Sequence, residues 1–165
     1  NFTGLRGNME TRIAAAERDD VDAVVVAMAA LQRLGLTDVA AEILSVEKMV
    51  PQVGQGAIAI ECRYDDLTSN EQVVEIIDDS TRRCVEAERA YLAKLGGGCE
   101  LPVGAHAYLD EGVIRLDAVL ASTDGTTLLR IQQQGHDSVA LGEAVAEELL
   151  ADGGRALLAT NGASP

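Results

Sequence analysis

Tryptophan is absent from this 165-residue sequence, and one Phe and three Tyr supply all of its aromatic surface. A core must then be built from Ala, Val, Leu and Ile, which suits close helix-on-sheet packing, and stacking platforms for nucleic-acid bases are lacking. Positive charge is scarce, with 13 Lys and Arg against 27 Asp and Glu and a formal net charge of −14. Binding a phosphate backbone needs clustered cations that release counterions, so nucleic acid is excluded as a partner, and an anionic membrane surface with it. Long apolar runs are missing as well: Val21 to Ala30 is interrupted by Asp22 and is too short to span a bilayer. Three cysteines, Cys62, Cys84 and Cys99, occur with no CxxC pair and only two histidines, which fits neither a disulfide framework nor a zinc site. A reducing cytosol is the expected home.

What is present is apolar content of 47%, enough to bury a core. Asn8 to Arg18 has helical spacing, with Asn8 as cap and Met9, Ile13 and Ala16 on one face. Asp22 to Ala27 reads as a short strand buried on both faces, of the parallel-sheet kind, and Met28 to Leu34 as a short helix closed by Gly35. The turn-rich Pro51-Gln52-Val53-Gly54-Gln55-Gly56 feeds a second strand, Ala57 to Arg63, which ends in charge. Helices are expected over about 69 to 78 and 80 to 95, the latter with Ala87, Ala90, Tyr91 and Lys94 at helical spacing. The period then changes to two, giving strands at 103 to 109, 113 to 121 and 126 to 134, with Glu111-Gly112 and Asp124-Gly125 as hairpin turns. A last helix, 138 to 151, should bury Val139, Val145, Leu149 and Leu150.

Cys99 is the position richest in chemistry. It follows Gly96-Gly97-Gly98 and precedes Pro102 and Gly104, so its backbone can approach a bulky adduct closely. For a cysteine considered alone, a small buried hydrophobe in a turn is the simpler assignment. Three arginines stand in contexts suited to carboxylates: Arg6 beside Gly7 at a helix N-terminus, Arg12, and Arg33 in Arg33-Leu34-Gly35. In so acidic a chain such arginines act locally, because exposed charges beyond ~8 Å are largely screened at physiological salt. Nothing near Cys62 or Cys84 marks them as more than packing residues.

These elements jointly resemble one family. Leu5-Arg6-Gly7-Asn8, Thr11-Arg12, Asp22-Ala23-Val24-Val25, Arg33-Leu34-Gly35-Leu36, Pro51-Gln52-Val53-Gly54-Gln55-Gly56-Ala57, Ile60-Glu61-Cys62-Arg63, Ala87-Glu88-Arg89-Ala90 and Gly97-Gly98-Cys99-Glu100-Leu101-Pro102-Val103-Gly104 follow the order and spacing of porphobilinogen deaminases, or hydroxymethylbilane synthases. The resemblance implies a transferase of tetrapyrrole (haem and chlorophyll) biosynthesis that joins four porphobilinogen units head to tail with loss of ammonia. It implies a dipyrromethane cofactor held by a thioether to Cys99, with Arg6, Arg12 and Arg33 binding the carboxylates of cofactor and substrate. Loss of ammonia leaves an electron-poor methylene on the pyrrole, which a soft thiolate is suited to capture. The partners so implied are porphobilinogen and linear oligopyrroles.

The family has three domains, two of them α/β lobes like periplasmic binding proteins. On that plan residues 1–46 correspond to part of the central α/β domain, 47–74 to a crossing segment and strand of the N-terminal domain, and 75–165 to the small C-terminal domain carrying the cysteine. In that C-terminal domain a three-stranded antiparallel sheet is expected to pack on helices. The family's catalytic aspartate lies in a His-Ser-x-Lys-Asp type of segment, and no such string occurs here, so no catalytic residue is assigned. Gly96 stands where an acidic residue often precedes the two glycines, and Gln32 where a lysine is common. The expectation is a piece of a longer enzyme, inactive alone, cytoplasmic or, in a plant or alga, stromal. Its incomplete sheet would pair with the missing half or another chain. The competing reading is a non-catalytic anion- or pyrrole-binding module with an accessible Cys99.

Overall fold

The computed structural model describes residues 3–98 and 101–160. The chain divides into two compact units, Asn1–Leu44 and Ser45–Pro165.

In the first unit, helix α1 (Met9–Ala14) starts where Asn8 Oδ1 accepts the Thr11 N–H at 2.9 Å and the Thr11 hydroxyl at 2.8 Å. These contacts satisfy one of the amides that a helix start leaves open. A 3₁₀ turn, Ala15–Glu17, follows and buries Ala15, whereas the expected inward residue Ala16 is exposed. Helix α2 (Met28–Leu34) ends on Gly35 in the left-handed region, with Leu36 N–H returning to Leu31 O at 2.9 Å. Asp22 to Ala27, expected as a strand, forms no ladder, and Val25 is 65% exposed. An apolar run of the parallel type needs neighbours on both edges and layers on both faces, and none of the described residues pairs with it.

The second unit holds the sheet. Strands β1 (Val103–Asp110), β2 (Val113–Ala121) and β3 (Leu128–Gly135) form an antiparallel meander in chain order. Register is set by Val103 opposite Leu120 and by Ala118 opposite Ile131. The first hairpin turns on Glu111 and Gly112, both at positive φ, the twist that a two-residue hairpin requires. The second is held by Asp124, which accepts from the Ser122 hydroxyl and from the Thr126 N–H and hydroxyl; these bonds pull its pKa down to about 2.

Helices α3 (Leu67–Val74), α4 (Asp79–Lys94), α5 (Ser138–Leu149) and α6 (Arg155–Thr160) complete the unit. α4 and α5 cover one face of the sheet. There Ile114, Leu116, Ala118 and Leu120 of β2 meet Ala87, Tyr91, Val145 and Leu149. One expected inward residue lies outward instead: Val139 is exposed, while Leu141 and Ala146 take core positions. α5 runs through a π-type turn, Leu150–Gly154, into α6, which the sequence pattern did not indicate. The run 57–63 joins no ladder among the described residues, and Ile58 is 79% exposed. As with residues 22–27, the expected strand lacks the neighbour that would make it one.

Gly142 sets how closely the two covering helices approach. A Cβ there would lie 2.2 Å from Ala87 O and 2.7 Å from the Ala90 Cβ, against a nearest contact of 3.5 Å at Gly135. Gly142→Ala is expected to destabilise the unit by about 1–3 kcal/mol, the usual cost of overpacking, and Gly135→Ala to change stability little. Urea unfolding of the two variants checks this.

Candidate functional site

The arginines singled out from the sequence all lie in the first unit. Arg6 and Arg33 are exposed, Arg33 in the last turn of α2, and neither has an ion pair or hydrogen bond among the described residues. Half-buried Arg12 donates from Nε to Gly7 O at 2.9 Å, which fixes the guanidinium against its own helix start and leaves its terminal nitrogens unpartnered among the described residues. Among the described residues no hydrogen bond or ion pair joins the three to one another. Cys99, the expected thioether position, lies outside the described residues.

What is described is how the cysteine segment is rooted. α4 leads into it and β1 leaves it, and Leu95 and Leu101, one on either side, are both buried. Gly97 is a site of close approach, where a Cβ would lie 1.9 Å from Leu101 Cδ1. Tyr91, fully buried, donates its hydroxyl to Val119 O at 2.8 Å and so ties α4 across to β2; burial pushes its phenol well above the ordinary value.

The strongest polar feature is Glu88, 6% exposed on the inward side of α4. Its Oε1 accepts the Ala107 N–H at 2.8 Å, and its Oε2 accepts the Gly54 N–H at 2.7 Å. Beside it, Ala105 donates to Pro51 O at 2.9 Å. Gly104 admits this contact, because a Cβ there would sit 2.7 Å from Val50 O and 2.9 Å from Pro51 O. The free edge of β1 is thus covered by the Val50–Gly54 backbone and by one carboxylate. Burial raises the Glu88 pKa; the N–H groups of Ala107 and Gly54 and the nearby His106 oppose that rise.

At the far side of the sheet Arg130 of β3 forms a second tether. Its guanidinium pairs with Asp117 and donates to Glu47 O at 2.6 Å, and Gln132 adds a bond to Asp117 at 3.0 Å. Between Val46–Glu47 and the uncovered sheet face lies a cavity of about 460 Å³ lined by His106, Tyr108, Arg115, Asp117 and Gln132 among others. The remaining thiols carry no reactive signature. Cys62 bonds Asn70 Oδ1 at 2.9 Å, and burial, with Glu88 nearby, pushes the Cys84 thiol up. Among the described residues no group of three His, Cys, Asp or Glu could hold a metal ion, and no helix is long and apolar enough to cross a membrane.

Glu88, Tyr91 and the Arg130–Asp117 pair were not singled out as interacting residues from sequence. Glu88 left a signal, since Cys84, Glu88, Tyr91 and Leu95 form one stripe of α4 and a carboxylate on a buried stripe must be paired. Arg130 left none, because its carbonyl partners are more than eighty residues away.

Two family models match the chain in succession. Residues 1–71 match "Porphobilinogen deaminase, dipyromethane cofactor binding domain", and residues 82–151 match "Porphobilinogen deaminase, C-terminal domain". Arg6, Arg12 and Arg33 fall in the first stretch and Cys99 in the second. The class is therefore that of proteins with a domain described as binding a dipyromethane cofactor, followed by a C-terminal domain. The chain belongs to the porphobilinogen deaminase family. Curated porphobilinogen deaminases from Trichlorobacter lovleyi, Geobacter sulfurreducens and Roseiflexus sp. are 42%, 43% and 43% identical to it over 156, 157 and 157 residues. The matches cover 93%, 94% and 94% of this chain and 50%, 49% and 52% of the relatives. The chain spans about half the length of the curated relatives it matches.

The raised pKa of Glu88 fixes the sign of a pH effect. A carboxyl that binds its proton more tightly in the folded chain contributes stability below its unfolded pKa, and that contribution is lost as pH rises through the folded value. Relative to Glu88→Gln, the wild-type chain should therefore gain stability as the pH is lowered from neutral toward the ordinary Glu range. Denaturant midpoints of the two proteins across pH measure the difference, and a slope of the opposite sign contradicts the assignment.

Proposed function

We propose that this chain is part of a hydroxymethylbilane synthase, which condenses four porphobilinogen units head to tail with release of ammonia. The match of two successive models of one family, the first described as cofactor-binding, carries the reading. Residues 1–46 are assigned to the central, periplasmic-binding-protein-like lobe, 47–74 to the crossing segment and a strand of the N-terminal domain, and 75–165 to the C-terminal domain. Porphobilinogen and linear oligopyrroles are its ligands and the cytoplasm its location.

Cys99 is assigned as the thiol that holds the dipyrromethane. When bound, that group supplies the pyrrole terminus onto which units are added. Its acetate and propionate groups suit the arginines, since Arg6 and Arg33 present exposed guanidiniums without competing acids among the described residues, and Arg12 keeps its terminal nitrogens for a ligand. A planar guanidinium grips a carboxylate through two parallel bonds, which a lysine cannot do. The acid that protonates the departing amine is expected in a His-Ser-x-Lys-Asp segment, which this sequence does not contain.

The chain alone should form no linear tetrapyrrole from porphobilinogen. Mixed with the N-terminal half of a curated relative carrying that segment, it should form one, detected by absorbance after oxidation of the product. Product from the chain alone, or none from the mixture, would overturn the assignment. In the active mixture Arg33→Ala should raise KM for porphobilinogen by roughly 10- to 100-fold, the loss of a charge-assisted hydrogen bond of ~1.5–3 kcal/mol.

A further inference from the structure

We propose that Glu88 is a positioning residue, whose carboxylate clasps the Pro51–Gly56 turn onto the edge of β1 and so fixes the two roots of the cysteine segment relative to that turn. The clasp itself follows from the geometry; its consequence for catalysis rests on the reading above.

The free edge of β1 presents N–H groups that need acceptors, and an uncovered edge invites pairing with other chains. Pro51 O takes the N–H of Ala105, and Glu88 Oε1 takes that of Ala107. The second oxygen of the same carboxylate takes the N–H of Gly54, at φ +71 in the turn. One side chain therefore binds three stretches distant in sequence: α4, which enters the cysteine segment, β1, which leaves it, and the Pro51–Gly56 turn. Only an ionised carboxylate offers acceptors alone on both oxygens. Glutamine must turn its NH₂ toward one of the two amides, and aspartate is one methylene short of reaching both. Three motifs quoted from the sequence, Pro51-Gln52-Val53-Gly54-Gln55-Gly56, Ala87-Glu88-Arg89 and Pro102-Val103-Gly104, thereby become parts of one joint. Gly104 completes it by leaving space for the carbonyls of Val50 and Pro51.

A residue holding this joint differs from one that merely fills the core. Its removal should free a particular set of amides and leave the β2–β3 ladder intact. Amide hydrogen exchange on the full chain, followed residue by residue by NMR, reads this directly. Glu88→Ala should speed exchange at Gly54 and Ala107 by about tenfold or more, the equivalent of ~1.4 kcal/mol per lost bond, with the amides of β3 unchanged. Glu88→Gln should restore protection at one of the two and not the other. Loss of protection across all three strands would make Glu88 a general core residue, and unchanged exchange at Gly54 would remove the clasp; either result overturns the proposal.

The catalytic consequence is read in the mixture with the relative's N-terminal half. There Glu88→Gln should lower kcat several-fold with KM for porphobilinogen unchanged, because the arginines that bind carboxylates are untouched. An unchanged kcat in a variant whose Gly54 amide has been freed would overturn the positioning role. A wild-type mixture without product defeats the reading of function instead, and the exchange pattern still decides the clasp.

Discussion

A single buried carboxylate holds the second unit to its plan. Taking Glu88 out of water costs several kcal/mol, and two hydrogen bonds to a charged acceptor return ~1.5–3 kcal/mol each. The two contributions nearly cancel, so Glu88 adds little net stability and much definition. An apolar residue in its place would leave the amides of Gly54 and Ala107 without acceptors, and each such loss costs about 1–3 kcal/mol. The side chain selects one position of the Pro51–Gly56 turn on β1 and penalises the rest. Around this joint the other contacts fall into order: Gly104 gives room for the turn, Tyr91 ties α4 to β2, and Arg130 holds the Val46–Glu47 backbone at the opposite side of the sheet.

The chain is unevenly self-sufficient. From α4 to α6 the apolar residues meet one another across a sheet and two covering helices. Between residues 21 and 77, by contrast, Val25, Ile43, Ile58, Ile60, Val74 and Ile76 are each more than half exposed. Val25 lies in the run 22–27, and Ile58 and Ile60 in the run 57–63, both of strand composition, and such strands are stable only within a sheet. The chain spans about half the length of the relatives it matches, and these apolar side chains are uncovered among the described residues.

Local rules were legible wherever the sequence itself completes the structure. Asn8 and Gly35 marked helix ends, Glu111-Gly112 marked a hairpin, and the alternation through β1 and β2 matched their inward and outward faces. The pattern failed where a second body decides the outcome. Asp22 to Ala27 and Ala57 to Arg63 carry strand composition but no ladder, because composition cannot supply a neighbour. The inward face of α5 was read one step off at Val139, which is exposed while Leu141, Val145 and Leu149 are buried. Glu88 was visible in the sequence only as part of a motif. Its role depends on two amides that lie 34 and 19 residues away along the chain, a distance that no local pattern spans. Arg6, Arg12 and Arg33, legible as residue types, are joined to one another by no hydrogen bond or ion pair among the described residues.

Cys99 is proposed as the residue on which a pyrrole cofactor is carried. The most direct test is the intact mass of the chain before and after incubation with preassembled linear tetrapyrrole, beside Cys99→Ser and Cys84→Ser controls. A mass increase equal to the hydroxymethyl tetrapyrrole less one water, the thioether forming as the hydroxyl leaves, abolished in Cys99→Ser and retained in Cys84→Ser, is the predicted result. An adduct that persists in Cys99→Ser, or a wild-type mass that never changes even with the N-terminal half of a relative present, would contradict it.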